Sequence, residues 1–336
     1  MKKAMFYEKM EGKKVQCHLC PWNCKIISDN TGYCNVRKNI DGKLYSLVYG
    51  KLNSIQIDPI EKKPFFHFHP GSKVLSIATV GCNFRCKFCC NPHISQSENI
   101  TGKMVSPNEI VKIALKNDCD GIAYTYTEPT IFFEYAYDIA KLAKKEGLYN
   151  VFVTNGYIST QPLEKISKYL DAAVIDVKGS LDKEFLKNYC SITKGGKTLE
   201  SMKKYHENGV HVEVTDLIVP EVGDDLDKVE ELVEWIKNNL NENIPIQFIG
   251  FFPSYRCRDS PSTSVKTLKK CREIAKKYLK YAYAYTSQDP GNPMNNTYCP
   301  ECGELLVTRY GCSMVENRIE KSKCPECGEI LVGIWE

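Results

Sequence analysis

Two hydrophobic periods alternate through the middle of the chain. Short apolar, β-branched runs occur at residues 74–80, 121–126, 151–154, 173–177, 211–219 and 246–250. Runs of this length and composition read as strands buried on both faces. Stretches with apolar residues at helical spacing separate them, at 107–117, 130–145, 161–169, 198–208, 226–240 and 265–279. The first of these follows Ser106, an N-cap, with Glu109 three residues on, the pattern of a capping box. Gly147 follows the second as a stop signal. Six strands, each followed by a helix, predict an α/β fold with a parallel sheet and right-handed crossovers, open or closed into a barrel. Sheets of this kind carry their chemistry beyond the C-terminal strand ends. Residues 81–89, the Thr127, Glu128, Pro129 triplet, Asn155 with Gly156, and Lys178 all fall there.

Composition narrows the function classes. The chain has 336 residues and 43% hydrophobic content, so disorder is excluded as its main state. Lys and Arg number 45 against 41 Asp and Glu, a net charge of +4 that demands neither a nucleic-acid nor a membrane partner. The N-terminal MKKAMFYEKMEGKK has no apolar signal-peptide core, and no run of 18 apolar residues occurs, so a cytoplasmic location is expected. In a reducing compartment, the 17 cysteines bind metal where they cluster rather than pairing as disulfides.

Eleven of them form three clusters. Cys17, Cys20, Cys24 and Cys34 stand as C-x2-C-x3-C-x9-C. Cys82, Cys86 and Cys89 stand as C-x3-C-x2-C directly after the first strand. Cys299, Cys302, Cys324 and Cys327 form two identical CPECG knuckles. The last set has the spacing of a four-cysteine zinc ribbon, with residues 304–309 and 330–334 as ribbon strands. The first set is a metal site for zinc or for a second iron-sulfur cluster. Three thiols on one loop leave a fourth coordination position for a distant residue or for substrate. Cys119, Cys190, Cys257, Cys271 and Cys312 read as small buried hydrophobes. Irregular segments then divide the chain into an N-terminal metal-binding segment at 1–57, a barrel at 58–290 and a ribbon at 291–336.

GCNFRCKFC at 81–89 resembles the radical S-adenosylmethionine (SAM) signature, with Phe88 as its aromatic. CHLCPWNC, YSLVYG, DPIEKKPFFHFHPGS, YTYTEPTIFFEY, VTNGY, IDVKG and the CPECG pair extend the likeness along nearly the whole chain. Together they resemble the AmmeMemoRadiSam-system radical SAM protein family, related to pyruvate formate-lyase activating enzyme. The resemblance implies a partial (β/α)6 barrel in which Cys82, Cys86 and Cys89 ligate three irons of a [4Fe-4S] cluster. The fourth iron would hold the methionyl group of SAM, and one electron would cleave SAM to a 5′-deoxyadenosyl radical that abstracts hydrogen from a substrate. Cys90 would be a spectator, because the signature spacing selects Cys89. Glu128 would accept a hydrogen bond from the SAM amine. Thr154 and Asn155 match the family's T-N-G, and Asp176 and Lys178 its D-x-K, with Lys178 on the SAM carboxylate.

An electron donor such as ferredoxin or flavodoxin, a small-molecule or protein substrate, and a functional link to a Memo-like protein follow from the same resemblance. Two further readings stand beside it. One is an activase that installs a glycyl radical on a partner protein. The other is a metal-stabilised nucleic-acid-binding protein using both outer clusters, which the near-neutral charge disfavours.

Overall fold

In the computed structural model, which describes residues 1–336, the predicted alternation folds around one eight-stranded sheet. Its strands are β1 (Ser54–Pro59), β2 (Lys73–Ala78), β3 (Gly121–Tyr124), β4 (Tyr149–Thr154), β5 (Ala172–Lys178), β6 (His211–Ile218), β7 (Ile246–Gly250) and β8 (Ala282–Tyr285). From β2 to β8 the strands are parallel and adjacent in chain order. β1 pairs antiparallel with β2 and forms one free edge, while β8 forms the other. The sheet is therefore an open barrel.

Two expectations change here. A seventh parallel strand, β8, follows the last helix. Its tyrosines alternate with alanines, so Tyr283, buried against the plug, and Tyr285, on the cavity wall, share the inner face. β1 runs across residue 57, so the N-terminal segment shares the barrel's sheet instead of ending before it.

Helices Pro107–Lys116, Phe133–Lys145, Thr160–Ser167, Gly196–Glu207, Leu226–Asn239 and Val265–Ala275 pack their apolar stripes on the sheet's outer face. The Ser106–Glu109 capping box forms in full. The connection after β2 differs from the rest, because the cysteine loop intervenes before the first of these helices. No helix is long and apolar enough to cross a membrane.

The lower barrel interior is filled by the chain that follows β1. Ile60, Phe65 and Phe68 pack with Val74, Ala123, Val151 and Val174. The buried Glu213 carboxylate of β6 accepts the backbone N–H groups of Phe66 at 2.9 Å and His67 at 2.8 Å, which pins this plug in place. His67 bonds the Tyr283 hydroxyl at 2.6 Å and the Val332 carbonyl at 2.8 Å. It therefore belongs to the plug, not to the cysteine loop.

The C-terminal module bridges the two free sheet edges. It contains β9 (Thr297–Tyr298), β10 (Leu305–Tyr310) and β11 (Ser313–Asn317). The expected second ribbon strand at 330–334 is instead an irregular tail, and β11 takes its place. That tail pairs with the plug through Phe68 and Ile334, and Trp335 lies 4.7 Å from the His67 ring. The β10–β11 hairpin packs on the Ile60–Lys62 turn that continues β1. Arg309 enters the interior, 2% exposed. It donates to the carbonyls of Phe66 at 2.9 Å and Asn295 at 3.1 Å, with its guanidinium 4.0 Å from the Phe66 ring. Gly71 adopts φ +83, a conformation that favours glycine, and lies against the Met314 methyl.

The N-terminal segment forms small antiparallel sheets against the barrel. A buried ion pair ties it down: Arg37 Nη1 lies 2.9 Å from Glu134, and Arg37 Nη2 donates to the Met5 carbonyl at 2.6 Å. Breaking one partner of such a pair costs about 3–5 kcal/mol, because the other charge is left buried and alone.

Candidate functional site

Above the plug, the barrel holds a cavity of about 370 Å³ that opens to solvent. Cys82, Cys86 and Cys89 are on its wall, with Glu128, Asn155, Asp176 and Lys178 from the ends of successive strands. The cysteine loop is held from two sides. Backbone N–H groups of Arg85 and Lys87 donate to the carbonyls of Cys190 at 3.0 Å and Tyr189 at 2.8 Å. Those acceptors end a single π-helical turn, Leu186–Cys190, a distortion that recurs at functional sites. From the N-terminal side, Trp22 Nε1 donates to the Asn83 carbonyl at 2.8 Å, and Arg85 bonds the Tyr33 carbonyl. Trp22 and Tyr33 stack at 4.0 Å between the N-terminal quartet and the loop.

The three thiols face one cavity. Burial pushes Cys82 well above the ordinary thiol range, and Glu128, Cys86 and Cys89 push it further. Cys86 is raised by a hydrogen bond with Cys190 and by burial. Cys90 also reaches the wall, but of the three it is shifted only by Cys89, after burial. Cys190, which reads as a packing thiol, thus lies beside Cys86. No spacing rule links the two positions, because the π-helical turn that joins them is invisible in hydrophobic period.

Glu128 is 1% exposed, and its pKa is raised by burial. Its Oε1 accepts from the Thr130 N–H at 2.9 Å, the Thr130 hydroxyl at 2.6 Å and the Thr154 hydroxyl at 2.7 Å. Its Oε2 accepts from the Asn155 N–H at 2.8 Å, which leaves that oxygen a free lone pair. Thr154 is not on the wall. Its hydroxyl orients Glu128, so it acts behind the carboxylate instead of touching a ligand. Asn155 lines the cavity, yet its side chain is used in holding Asn83 at 2.8 Å and the Tyr157 N–H at 2.9 Å.

Asp176 and Lys178 pair at 3.2 Å, and Thr215 donates to Asp176. Burial alone would lower Lys178, but Asp176 and the nearby Cys86 and Cys190 hold its ammonium form. Of the aromatic residues flanking the strand ends, Tyr126 reaches the wall. Tyr124, Phe132 and Phe251 are buried core, and Phe252 is exposed.

The C-terminal quartet is a different object. Its four sulfur atoms lie within 4.8 Å of one another, with Cys299–Cys327 at 3.6 Å and Cys302–Cys324 at 3.7 Å. The knuckles are conformational twins, with Gly303 and Gly328 both at φ +78. This is a four-cysteine metal-binding group. The N-terminal four are looser and surround a small apolar cavity with Trp22, Ile26 and Ile131.

Three thiols on a loop at the C-terminal end of a parallel barrel face an acid- and lysine-lined cavity, an arrangement suited to a metal cluster beside an organic ligand. The profile described as the radical SAM superfamily matches residues 76–236. Uncharacterized protein MJ0808 of Methanocaldococcus jannaschii is 44% identical over 313 residues, 92% of each chain. The pyruvate formate-lyase-activating enzyme of Clostridium pasteurianum is 28% identical over 216 residues, covering 59% of this chain and 88% of that one. The crystal structure of a radical SAM methyltransferase from Sphaerobacter thermophilus shares the fold, with a TM-score of 0.50 at 15% identity over 65% of this chain and 67% of that one. The chain belongs to the radical SAM superfamily, and membership implies a [4Fe-4S] cluster and SAM. The donor set fits that group. Ionisation of the three thiols is opposed by burial and by neighbouring thiols, and a cationic metal centre removes that opposition.

Proposed function

We propose that this chain is a radical SAM enzyme that reductively cleaves SAM at Cys82, Cys86 and Cys89 and directs the resulting radical at a substrate within the barrel. The observation that carries this reading is the convergence of these three thiols with Glu128, Asp176 and Lys178 on one cavity. A [4Fe-4S] cluster bound there supplies the electron that splits SAM into methionine and a 5′-deoxyadenosyl radical.

The protein's own part is binding, orientation and exclusion of water. Glu128 offers its remaining Oε2 lone pair to the SAM amine, and Thr130, Thr154 and the Asn155 N–H fix the carboxylate's angle. Lys178, kept charged by Asp176, faces the SAM carboxylate. Asn155 couples the VTNGY turn to the cysteine loop through Asn83, so ligand binding and loop position are linked. The plug and the ribbon shut the barrel below and at the side, which protects a radical from solvent. In this reading the C-terminal quartet holds zinc, and the N-terminal quartet holds zinc or a second cluster. A low-potential carrier such as ferredoxin or flavodoxin supplies electrons in the cytoplasm. The AmmeMemoRadiSam system, with its Memo-like protein, is the pathway to which the motifs assign it.

The resemblance to pyruvate formate-lyase-activating enzyme favours a second reading, activation of a partner protein as a glycyl-radical enzyme. A glycyl doublet in the EPR spectrum of an added partner would select it. Anaerobic, reconstituted and reduced protein should release 5′-deoxyadenosine from SAM. Absence of release with an intact cluster sinks both readings.

A further inference from the structure

The hairpin turn of the ribbon reaches into the cavity. Gly311 and Cys312, between β10 and β11, are both wall residues, beside Tyr285 of β8 and Asn295. Hairpin tips ordinarily face water. This one is turned inward, with the Cys312 thiol 3.8 Å from the Tyr285 hydroxyl. Burial and Cys312 push Tyr285 up to about 12, so its hydroxyl stays protonated. On the other side lies Lys63, which is buried, paired with Asp58 of β1 at 2.8 Å and close enough to respond to Cys312. The thiol therefore occupies the gap where the two sheet edges face each other.

The same wall carries unpaired polar atoms. Asn295 is 1% exposed and donates to the Gly311 carbonyl at 2.9 Å, while its Oδ1 has no partner. Glu61 is 2% exposed, and its Oε2 has none. Buried polar atoms are almost always satisfied. Both oxygens are sealed from the cavity, in the layer that packs the hairpin tip against the plug.

We propose that Cys312, backed by Tyr285, is the hydrogen-atom donor to a carbon radical in this cavity. The inference rests on the proposal that SAM is cleaved to a radical here. The Cys312 S–H bond breaks homolytically and a C–H bond forms on the radical carbon, leaving a sulfur-centred radical. The low-potential one-electron donor that reduces the cluster returns one electron to sulfur, and one proton from water restores the thiol, whose S–H again donates to the Tyr285 oxygen. An S–H bond is weaker than an aliphatic C–H bond, so the transfer runs downhill. A serine O–H bond is stronger and cannot replace it.

The test needs no knowledge of the substrate. Cluster-loaded protein is exchanged into D2O and given SAM and dithionite alone. The 5′-deoxyadenosine released should carry one solvent deuterium at C5′ by mass spectrometry. Cys312→Ala and Cys312→Ser should each lower the labelled fraction about tenfold, and Tyr285→Phe should lower it less. In cluster-free protein, added 5′-deoxyadenosine should slow alkylation of Cys312 by iodoacetamide, read by peptide mapping. Unlabelled product from the wild type, or an equal labelled fraction in both Cys312 variants, overturns the proposal. The wild-type label and the alkylation rate need no variant to fold. Release of no 5′-deoxyadenosine by the cluster-loaded wild type removes the underlying reading instead.

Discussion

The cysteine loop and the C-terminal quartet use the same ligand chemistry for opposite ends. In the quartet, four sulfurs meet within 4.8 Å, and the hairpin above them packs as a wall. In the loop, three sulfurs share a cavity with a carboxylate and a lysine, and no fourth cysteine closes the set as it does in the quartet. A closed site does structural work, whereas an open one leaves a metal face for substrate. What surrounds the thiols therefore separates the two as clearly as their number does.

Exchanging the losses breaks the comparison most sharply. Cys82→Ala should lower 5′-deoxyadenosine release more than about 10³-fold while the C-terminal metal, counted by elemental analysis, stays bound. Cys324→Ser should do the reverse at first. It should lose one metal and the ribbon's order, because structural metal sites contribute about 10–16 kcal/mol of apparent binding energy to folding. The calorimetric transition should then split or fall, and the iron should remain. Both metals lost in either variant would mean that the two sites are not independent.

A smaller effect separates the loop's surroundings from its ligands. Glu128→Gln keeps the shape but removes a charged acceptor, a change of about 1.5–3 kcal/mol. SAM affinity by calorimetry should weaken roughly 10- to 100-fold by the same principle, with iron content unchanged. Unaltered affinity would reduce Glu128 to a helix cap.

The ribbon's dock should show a pH dependence that the loop lacks. Burial lowers His67 to about 4 in the folded chain, against an unfolded value of about 6.5. Unfolded chains therefore bind the proton first, and stability is lost as pH falls from about 6.5 towards 4. Glu213 partly offsets this, while Arg309 and His211 add to it. Denaturant melts at pH 7 and pH 5 should differ by about 1–2 kcal/mol more in the wild type than in His67→Gln. The smallest change is Cys90→Ser, for which unchanged iron content is expected. Loss of iron would move the third ligand from Cys89 to Cys90.

The sequence exposes features set by local spacing. Six of the seven parallel strands, the capping box at Ser106, the cysteine loop after β2 and both CPECG knuckles follow from residues near one another in the chain. Features made by long-range packing stay hidden. β8 alternates Ala and Tyr in a way that resembles surface patterning until the plug that covers its tyrosines is placed. Thr154 matches a motif, yet its hydroxyl acts on Glu128, 26 positions away. Cys190 and Cys312 look like packing thiols because only a π-helical turn brings the first beside Cys86 and only the hairpin turn brings the second to the cavity. Arg309 carries no motif, but it seats the ribbon.

One measurement bears most directly on the central claim: 5′-deoxyadenosine and methionine released from SAM by anaerobic, cluster-loaded, reduced protein. The two products should appear in equal amounts, only with reductant, and neither from Cys82→Ala. An intact, reduced cluster that leaves SAM uncleaved would contradict that claim.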